Sequence, residues 1–325
     1  MKFIISINVS NLCTENCKMC PHSIQDDKLK DNLFYNFKHS TLPNTPSLMS
    51  LNTMKIVVER IQEFLKSDFS KVYDKIIVSV TGFGEPLLNP DILRFMDKLS
   101  KLKEDYNELD INVITNAVTA YKINNKKLFE SLVKRSGKDS YTVEVSIHDF
   151  NSKYIDQIRL ATYSKISNGV NIRNHDINHD VNELVANNRG GLMDTDKKLN
   201  EKDNQCWYPL YEISIDTNGE YLLCAHDWSR LSRGDIYDIN NLSIEEYMKS
   251  KKIEYIQRKL CIYGERDKIE CCKYCNASGT LDGYDNLYYY MYKEVPPNAK
   301  KYKITEVKVN TNVDCCKHTS KYNNK

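Results

Sequence analysis

The chain opens on Phe3-Ile4-Ile5-Ser6-Ile7-Asn8-Val9, a β-branched run that predicts a strand ending just before Cys13. A polar stretch follows from Pro21 to about Ser50. Met54, Val57, Val58, Ile61, Phe64 and Leu65 then recur at helical spacing and predict an amphipathic helix. Lys75-Ile76-Ile77-Val78-Ser79-Val80 has the short, largely apolar character of a buried parallel strand. Asn89-Pro90 reads as an N-cap and first helical residue, with Ile92, Phe95, Met96, Leu99 and Leu102 as the buried stripe behind it. A strand from Ile111 to Thr115, a helix carrying Leu128, Phe129, Leu132 and Val133, and a strand from Tyr141 to Ile147 continue the alternation.

Strand alternating with helix predicts an α/β fold: a parallel sheet with helices outside it, open or closed into a barrel, and a site at the carboxyl ends of the strands. After Cys206 the pattern changes. Tyr211 to Ile215 and Tyr221 to Leu223 flank Asp216-Thr217-Asn218-Gly219, and Asn-Gly is a strong hairpin signal. Ser243 with Glu246 forms a capping box for a helix expected to reach about Leu260. The last stretch is tyrosine-rich and then lysine-rich, the character of a peripheral wrap with a loose tail. The expected division is a barrel over 1–205, a hairpin-based module over 206–280, and the wrap and tail over 281–325.

The 325 residues suffice for one large barrel or two domains. With 46 basic and 44 acidic side chains the net charge is +2, so no domain-wide field favours nucleic acid or anionic lipid. No stretch approaches the roughly 18 continuous apolar residues of a membrane span. Met1-Lys2-Phe3 runs straight into the first strand without the apolar region of a signal peptide, so a cytoplasmic location is expected. Eleven cysteines in a reducing compartment then point to metal rather than to a disulfide framework.

The cysteines form two groups at opposite ends of the chain. Cys13, Cys17 and Cys20 have the spacing CxxxCxxC; Cys206, Cys224, Cys261, Cys271, Cys272, Cys275, Cys315 and Cys316 come much later. A zinc site with His22 as fourth ligand is one reading of the first group, although zinc usually pairs its cysteines as CxxC. Thiolates also suit an iron-sulfur cluster, and three protein ligands on four irons leave one iron open to a substrate or cofactor.

With these residues the chain resembles the radical S-adenosylmethionine (radical SAM) superfamily, whose hallmark is CxxxCxxC in the loop after the first strand of a partial (β/α)6 TIM-like barrel. The resemblance covers about residues 3–205. It implies a 4Fe-4S cluster on Cys13, Cys17 and Cys20, with SAM chelated at the open iron and cleaved by one electron to a 5′-deoxyadenosyl radical that takes hydrogen from substrate. Thr81-Gly82-Phe83-Gly84-Glu85-Pro86 resembles the superfamily's GGEP motif, with Phe83 in place of its first glycine. Gly82, Gly84, Glu85 and Pro86 are thereby cofactor-binding candidates, Glu85 as acceptor for the SAM ammonium group. Asn116, in Thr115-Asn116-Ala117, and Ser146, in Ser146-Ile147-His148-Asp149, stand where such enzymes meet SAM, and Met19 stands where an apolar group packs near the adenine.

Cys206 and Cys224 bracket the predicted hairpin, and Cys272-Lys-Tyr-Cys275 adds a CxxC, making a closed set of four thiolates. A four-cysteine zinc ribbon is the alternative. The layout resembles SPASM and twitch auxiliary domains, in particular the shorter twitch form with one extra 4Fe-4S cluster, over about residues 206–280. Cys206-Trp207-Tyr208-Pro209, Cys224-Ala-His-Asp227 and Gly234-Asp235-Ile236 match its landmarks. Cys271 could replace Cys272 only by giving CxxxC, so Cys272 is preferred; Cys261, Cys315 and Cys316 are read as having no ligand role.

The combination resembles the 2-deoxy-scyllo-inosamine dehydrogenase-like members, implying a two-electron oxidation of a small polar metabolite, a sugar or cyclitol, with the auxiliary cluster as electron acceptor and a flavodoxin or ferredoxin as reductant. A peptide maturase of the SPASM type is the second reading, and a non-catalytic metal-binding protein the third. Arg189, in Asn187-Asn188-Arg189-Gly190-Gly191, and His148 are the candidate catalytic residues; Asp149, His175 and His179 are further acid or base candidates. The polar segment Ser23 to Ser50 is a candidate cap over the site.

Overall fold

A computed structural model of the chain describes residues 1–17, 20–21, 48–148, 152–166, 168–174, 189–192, 204–232 and 237–280. Its framework is one sheet of seven strands: β1 (Lys2–Asn8), β2 (Lys75–Thr81), β3 (Leu109–Thr115), β4 (Thr142–Ile147), β5 (Val170–Asn174), β6 (Glu212–Ile215) and β7 (Tyr221–Leu222). The order across the sheet is β5-β4-β3-β2-β1-β6-β7. All neighbours run parallel except the β6–β7 hairpin.

Parallel strands are covered on both faces, which is why β1 can be so apolar: Phe3, Ile5 and Ile7 are fully buried, and Ser6 and Asn8 on the other side are buried too. Helices α1 (Leu51–Lys66), α2 (Ile92–Asp105), α3 (Val118–Lys122), α4 (Lys126–Arg135) and α5 (Ile155–Thr162) lie between the first five strands. The predicted stripes are the buried ones: Met54, Val57, Ile61, Phe64 and Leu65 on α1, and Leu128, Phe129, Leu132 and Val133 on α4. Ser50 caps α1 by accepting from the Thr53 amide at 3.0 Å. Phe3 joins strand to helix, with ring centroids 4.8 Å from Phe64 and 4.9 Å from Tyr73.

Several expectations are corrected. Among the described residues the first 205 positions supply five strands, and the sixth parallel strand, β6, comes from beyond Cys206 and pairs with β1 on the side opposite β2. The strand β5 and the helix α5 escaped the pattern reading because Val170-Asn-Ile-Arg-Asn holds only two apolar side chains, as suits a strand at the sheet edge. The helix α2 starts at Ile92, later than expected, but Asn89 still serves the turn before it: its side-chain oxygen accepts from the Asp91 amide at 3.0 Å, while its amide group donates to the Val9 and Met49 carbonyls, both at 2.9 Å. The capping box of Ser243 and Glu246 is present, but its helix α7 (Ile244–Met248), which follows the short α6 (Tyr208–Tyr211), stops well before Leu260. Ser250 caps a new helix, α8 (Lys251–Gln257), and a π turn over Arg258–Ile262 completes the segment.

No helix among the described residues is long and apolar enough to cross a membrane. Residues 281–325, the expected wrap and tail, lie outside the described residues, as does most of the expected cap.

Candidate active site

Because the first five strands are parallel, the loops after their carboxyl ends gather at one edge of the sheet. There they enclose a cleft of about 310 Å³ lined by Cys13, Cys17 and Cys20 from the loop after β1, Gly82, Gly84 and Glu85 after β2, and Thr115 and Asn116 after β3. Ser146 and His148 at the end of β4, with Arg189, complete the expected set. Trp228 and Arg173 also line the cleft and were not anticipated; Arg173 stands on β5, where it pairs with Glu144 of β4 at 2.5 Å. Pro86 is buried and starts a 3-10 turn (Pro86–Leu88) without reaching the cleft. Met19, Asp149, His175, His179 and Gly234 to Ile236 lie outside the described residues.

The cysteine loop and the glycine loop are stitched together. The Glu85 amide donates to the Leu12 carbonyl at 2.7 Å, and the Phe83 amide donates to the Asn8 side chain at 3.1 Å. A Cβ on Gly84 would stand 2.4 Å from the Ser10 carbonyl oxygen and 2.5 Å from that of Leu12, so only glycine permits this approach. At Gly82, φ is +127° and a Cβ would stand 2.5 Å from Asn8 Oδ1. Thr14 bonds Thr119 at 2.7 Å and Glu15 pairs with Lys122 at 2.8 Å, tying the cysteine loop to α3.

Glu85 is the best-supported side chain in the cleft. Its Oε1 accepts from the Thr115 hydroxyl at 2.5 Å and the Leu87 amide at 3.0 Å, and its Oε2 from the Asn116 amide at 2.9 Å. Burial nevertheless pushes its pKa up to about 7, against the pull of those donors. A buried carboxylate so aimed is suited to a cationic ligand. Burial likewise raises the thiols of Cys13 and Cys17 to about 12. They are protonated without metal, so metal loading must release their protons.

Cys206, Cys224, Cys271, Cys272 and Cys275 line a second, small cavity with Tyr208, His226, Asp227 and Arg266. Arg266 clamps it shut: its guanidinium donates to the carbonyls of Asn204 (2.7 Å), Gln205 (2.8 Å), Cys275 (2.9 Å) and Ala277 (2.7 Å), tying the entry of the module to its exit. Cys261 is buried and gives its thiol hydrogen to the Cys206 carbonyl at 3.0 Å, which accounts for it without a ligand role. Burial pushes the Cys206 thiol up to about 12 and holds His226 down at about 4, with the Arg189 charge adding to the latter.

Two devices connect the sites. In the Arg189–Gly191 turn, Arg189 has φ +50° and faces the cleft, while a Cβ on Gly190 would stand 2.3 Å from the His226 carbonyl oxygen and one on Gly191 2.6 Å from Tyr274 Cβ. Only glycines let that turn wedge against the cysteine module. The second device is a buried ion pair, Arg230 Nε to Asp216 Oδ2 at 2.6 Å. Asn8 donates to Asp216 at 2.8 Å and Asn11 donates to Thr217 at 3.0 Å, so the end of β1 is bonded to the hairpin turn. Arg230 also stacks on Phe83, 4.6 Å from its centroid, and Phe83 packs on Trp228 at 4.9 Å. Phe83, the departure from the glycine motif, thus fills the joint between the glycine loop and the segment after Cys224.

The donor sets fit iron-sulfur clusters. Three thiols stand on one wall of an open cleft beside a buried carboxylate, and a further set of thiols lines a cavity of about 10 Å³. Among the described residues no three His, Cys, Asp or Glu side chains are grouped as a single metal ion requires.

No family model and no curated protein matches the chain. Among solved structures, BtrN in complex with AdoMet and 2-DOIA aligns with a TM-score of 0.57 at 19% identity, over 85% of this chain and 93% of that one. BtrN in an open conformation aligns with a TM-score of 0.52 at 18% identity, over 88% of this chain and 98% of that one. The chain therefore has the fold of BtrN, a mostly parallel α/β sheet flanked by helices.

Proposed function

We propose that the protein is a radical SAM enzyme that oxidises a small polar metabolite, a sugar or cyclitol, by two electrons. The observation that carries the reading is the meeting of Cys13, Cys17 and Cys20 with Glu85, Asn116 and Ser146 in one cleft at the carboxyl ends of parallel strands. The fold likeness to a protein crystallised with AdoMet and 2-DOIA supports it. When bound, a 4Fe-4S cluster with an open iron and SAM supply a 5′-deoxyadenosyl radical.

The chain's own residues divide the work. Cys13, Cys17 and Cys20 hold the cluster, and Glu85 accepts the SAM ammonium group. Gly82 and Gly84 keep the backbone close, and Asn116 and Ser146 meet the ribose or carboxylate. Arg189 and His148 face the substrate, His148 as the group that takes its proton. Cys206, Cys224, Cys272 and Cys275 hold the auxiliary 4Fe-4S cluster. The substrate would lose a hydrogen atom to the radical and a proton to His148, and a cluster held by Cys206, Cys224, Cys272 and Cys275 would serve as acceptor for the remaining electron. A flavodoxin or ferredoxin in the cytoplasm supplies the electron that cleaves SAM.

Anaerobic reconstitution tests this. About eight irons per chain, as two four-iron clusters require, with dithionite-dependent formation of 5′-deoxyadenosine, is the expected result. Full iron loading without SAM cleavage would refute the enzyme. Deuterated metabolite pools, followed by label transfer into 5′-deoxyadenosine, identify the substrate.

A further inference from the structure

We infer that Cys271 and Cys272 are interchangeable ligands, either of which completes the thiolate set of Cys206, Cys224 and Cys275. The inference rests on reading their cavity as an auxiliary cluster site. Adjacent cysteines on a strand point to opposite faces. These two lie on a 3-10 turn over Glu270–Cys272, and both line the cavity. They are 6% and 7% exposed, and their sulfurs are 3.7 Å apart in an S–H···S contact.

Cys261 supplies the contrast. It too is a buried cysteine of this module, yet it does not line the cavity and its thiol hydrogen goes to the Cys206 carbonyl, a structural use. The described hydrogen-bond partner of the Cys271 thiol is Cys272. The charges that act on Cys271 are those of Cys272, Cys224 and Asp227, all of which line the cavity with it. A charge on Cys271 acts in turn on Lys252, whose ammonium group donates to the Ser232 carbonyl, and on Tyr247, whose buried hydroxyl has no hydrogen-bond partner among the described residues. Polar neighbours of this kind suit a thiol that can ligate, whereas apolar packing alone would be served by alanine or valine.

Exchange between the two breaks one iron–sulfur bond and forms another. One proton moves from the incoming to the outgoing sulfur along the S–H···S contact, and no electron is transferred. Two coordination isomers would follow, CxxC through Cys272 and CxxxC through Cys271.

The test uses the full chain carrying Cys13→Ala, Cys17→Ala and Cys20→Ala, so that only auxiliary iron is counted after anaerobic reconstitution with iron and sulfide. About four irons per chain are expected in this background. The same count is expected after adding either Cys271→Ala or Cys272→Ala, and fewer than about one after adding both or after adding Cys224→Ala. Dithionite-reduced spectra of the two single variants should differ in g-values. Loss of iron from Cys272→Ala with retention in Cys271→Ala, or the reverse, overturns the inference, because one sulfur would then be the sole ligand. Iron retained in the double variant also overturns it. Far-UV circular dichroism matching the background separates ligand loss from misfolding, and a background that itself binds no iron refutes the auxiliary cluster rather than the exchange.

Discussion

Cys13, Cys17 and Cys20 are partly exposed on the wall of an open cleft, whereas Cys206, Cys224, Cys272 and Cys275 are only 6–8% exposed around a small cavity. The supports differ in the same sense. The first loop is held by side-chain contacts to α3 and by two glycines that admit a neighbouring loop. The second set is locked by Arg266 through four backbone carbonyls. The proposed function needs this difference: a group in the first site would have to exchange a ligand at every turnover, whereas one among the more buried second set would be desolvated, as electron transfer favours.

The comparison can be broken in several ways. Replacing Cys13, Cys17 and Cys20 together by alanine should reduce dithionite-dependent 5′-deoxyadenosine to background while auxiliary iron stays; continued cleavage would mean that the two sites do not divide the work. Cys224→Ala should abolish net substrate oxidation but leave SAM cleavage, read as 5′-deoxyadenosine formed without oxidised product. Loss of both would make the second site a structural support for the first.

The joint between the sites gives a smaller effect. Arg230→Met strands the Asp216 carboxylate in a buried position and should cost about 3–5 kcal/mol in denaturant unfolding. Burial alone would raise the Asp216 pKa, but the Arg230 charge and the bonds from Arg230, Asn8 and Thr217 outweigh it and leave it lowered. Its stabilising contribution is therefore present above the ordinary carboxylate pKa and lost as pH falls through the lower folded value. The Asp216→Asn and Arg230→Met pair should recover part of the loss.

Glu85→Gln keeps the shape of the cleft but removes the charge, and should weaken SAM binding by about 1.5–3 kcal/mol, the value of a hydrogen bond to a charged group, measured by equilibrium dialysis. The smallest effect is kinetic. In the metal-free protein, Cys13, Cys17 and Cys20 should be alkylated several-fold faster than Cys206 and Cys224, as peptide mapping would show; equal rates would mean that the second cavity opens as readily as the first.

Periodicity made β1 to β4, α1, α2 and α4 legible, because each has a continuous buried face set by local spacing. The strand β5 was hidden by its two polar asparagines and arginine, and with it Arg173, whose place in the cleft follows from pairing with β4. Asn89 was only half legible: its bond from the Asp91 amide follows from the local Asn-Pro step, whereas its ties to two distant carbonyls have no local signature. The cleft cysteines were visible by their spacing and the glycine motif by its resemblance to a known family's; Trp228, Arg230 and Arg266 had no local signal, since their partners lie far off in the chain.

The sequence by itself determined the strand–helix alternation, the two cysteine groups and the loops that carry them, because these rest on spacing within a few residues. Only the tertiary structure decided that β6 joins the sheet beside β1, that the Arg189 turn wedges between the two sites, and that Cys271 faces the same cavity as Cys272. Those outcomes depend on which backbone groups find partners and which charges are buried together across long separations, and local pattern carries no record of them.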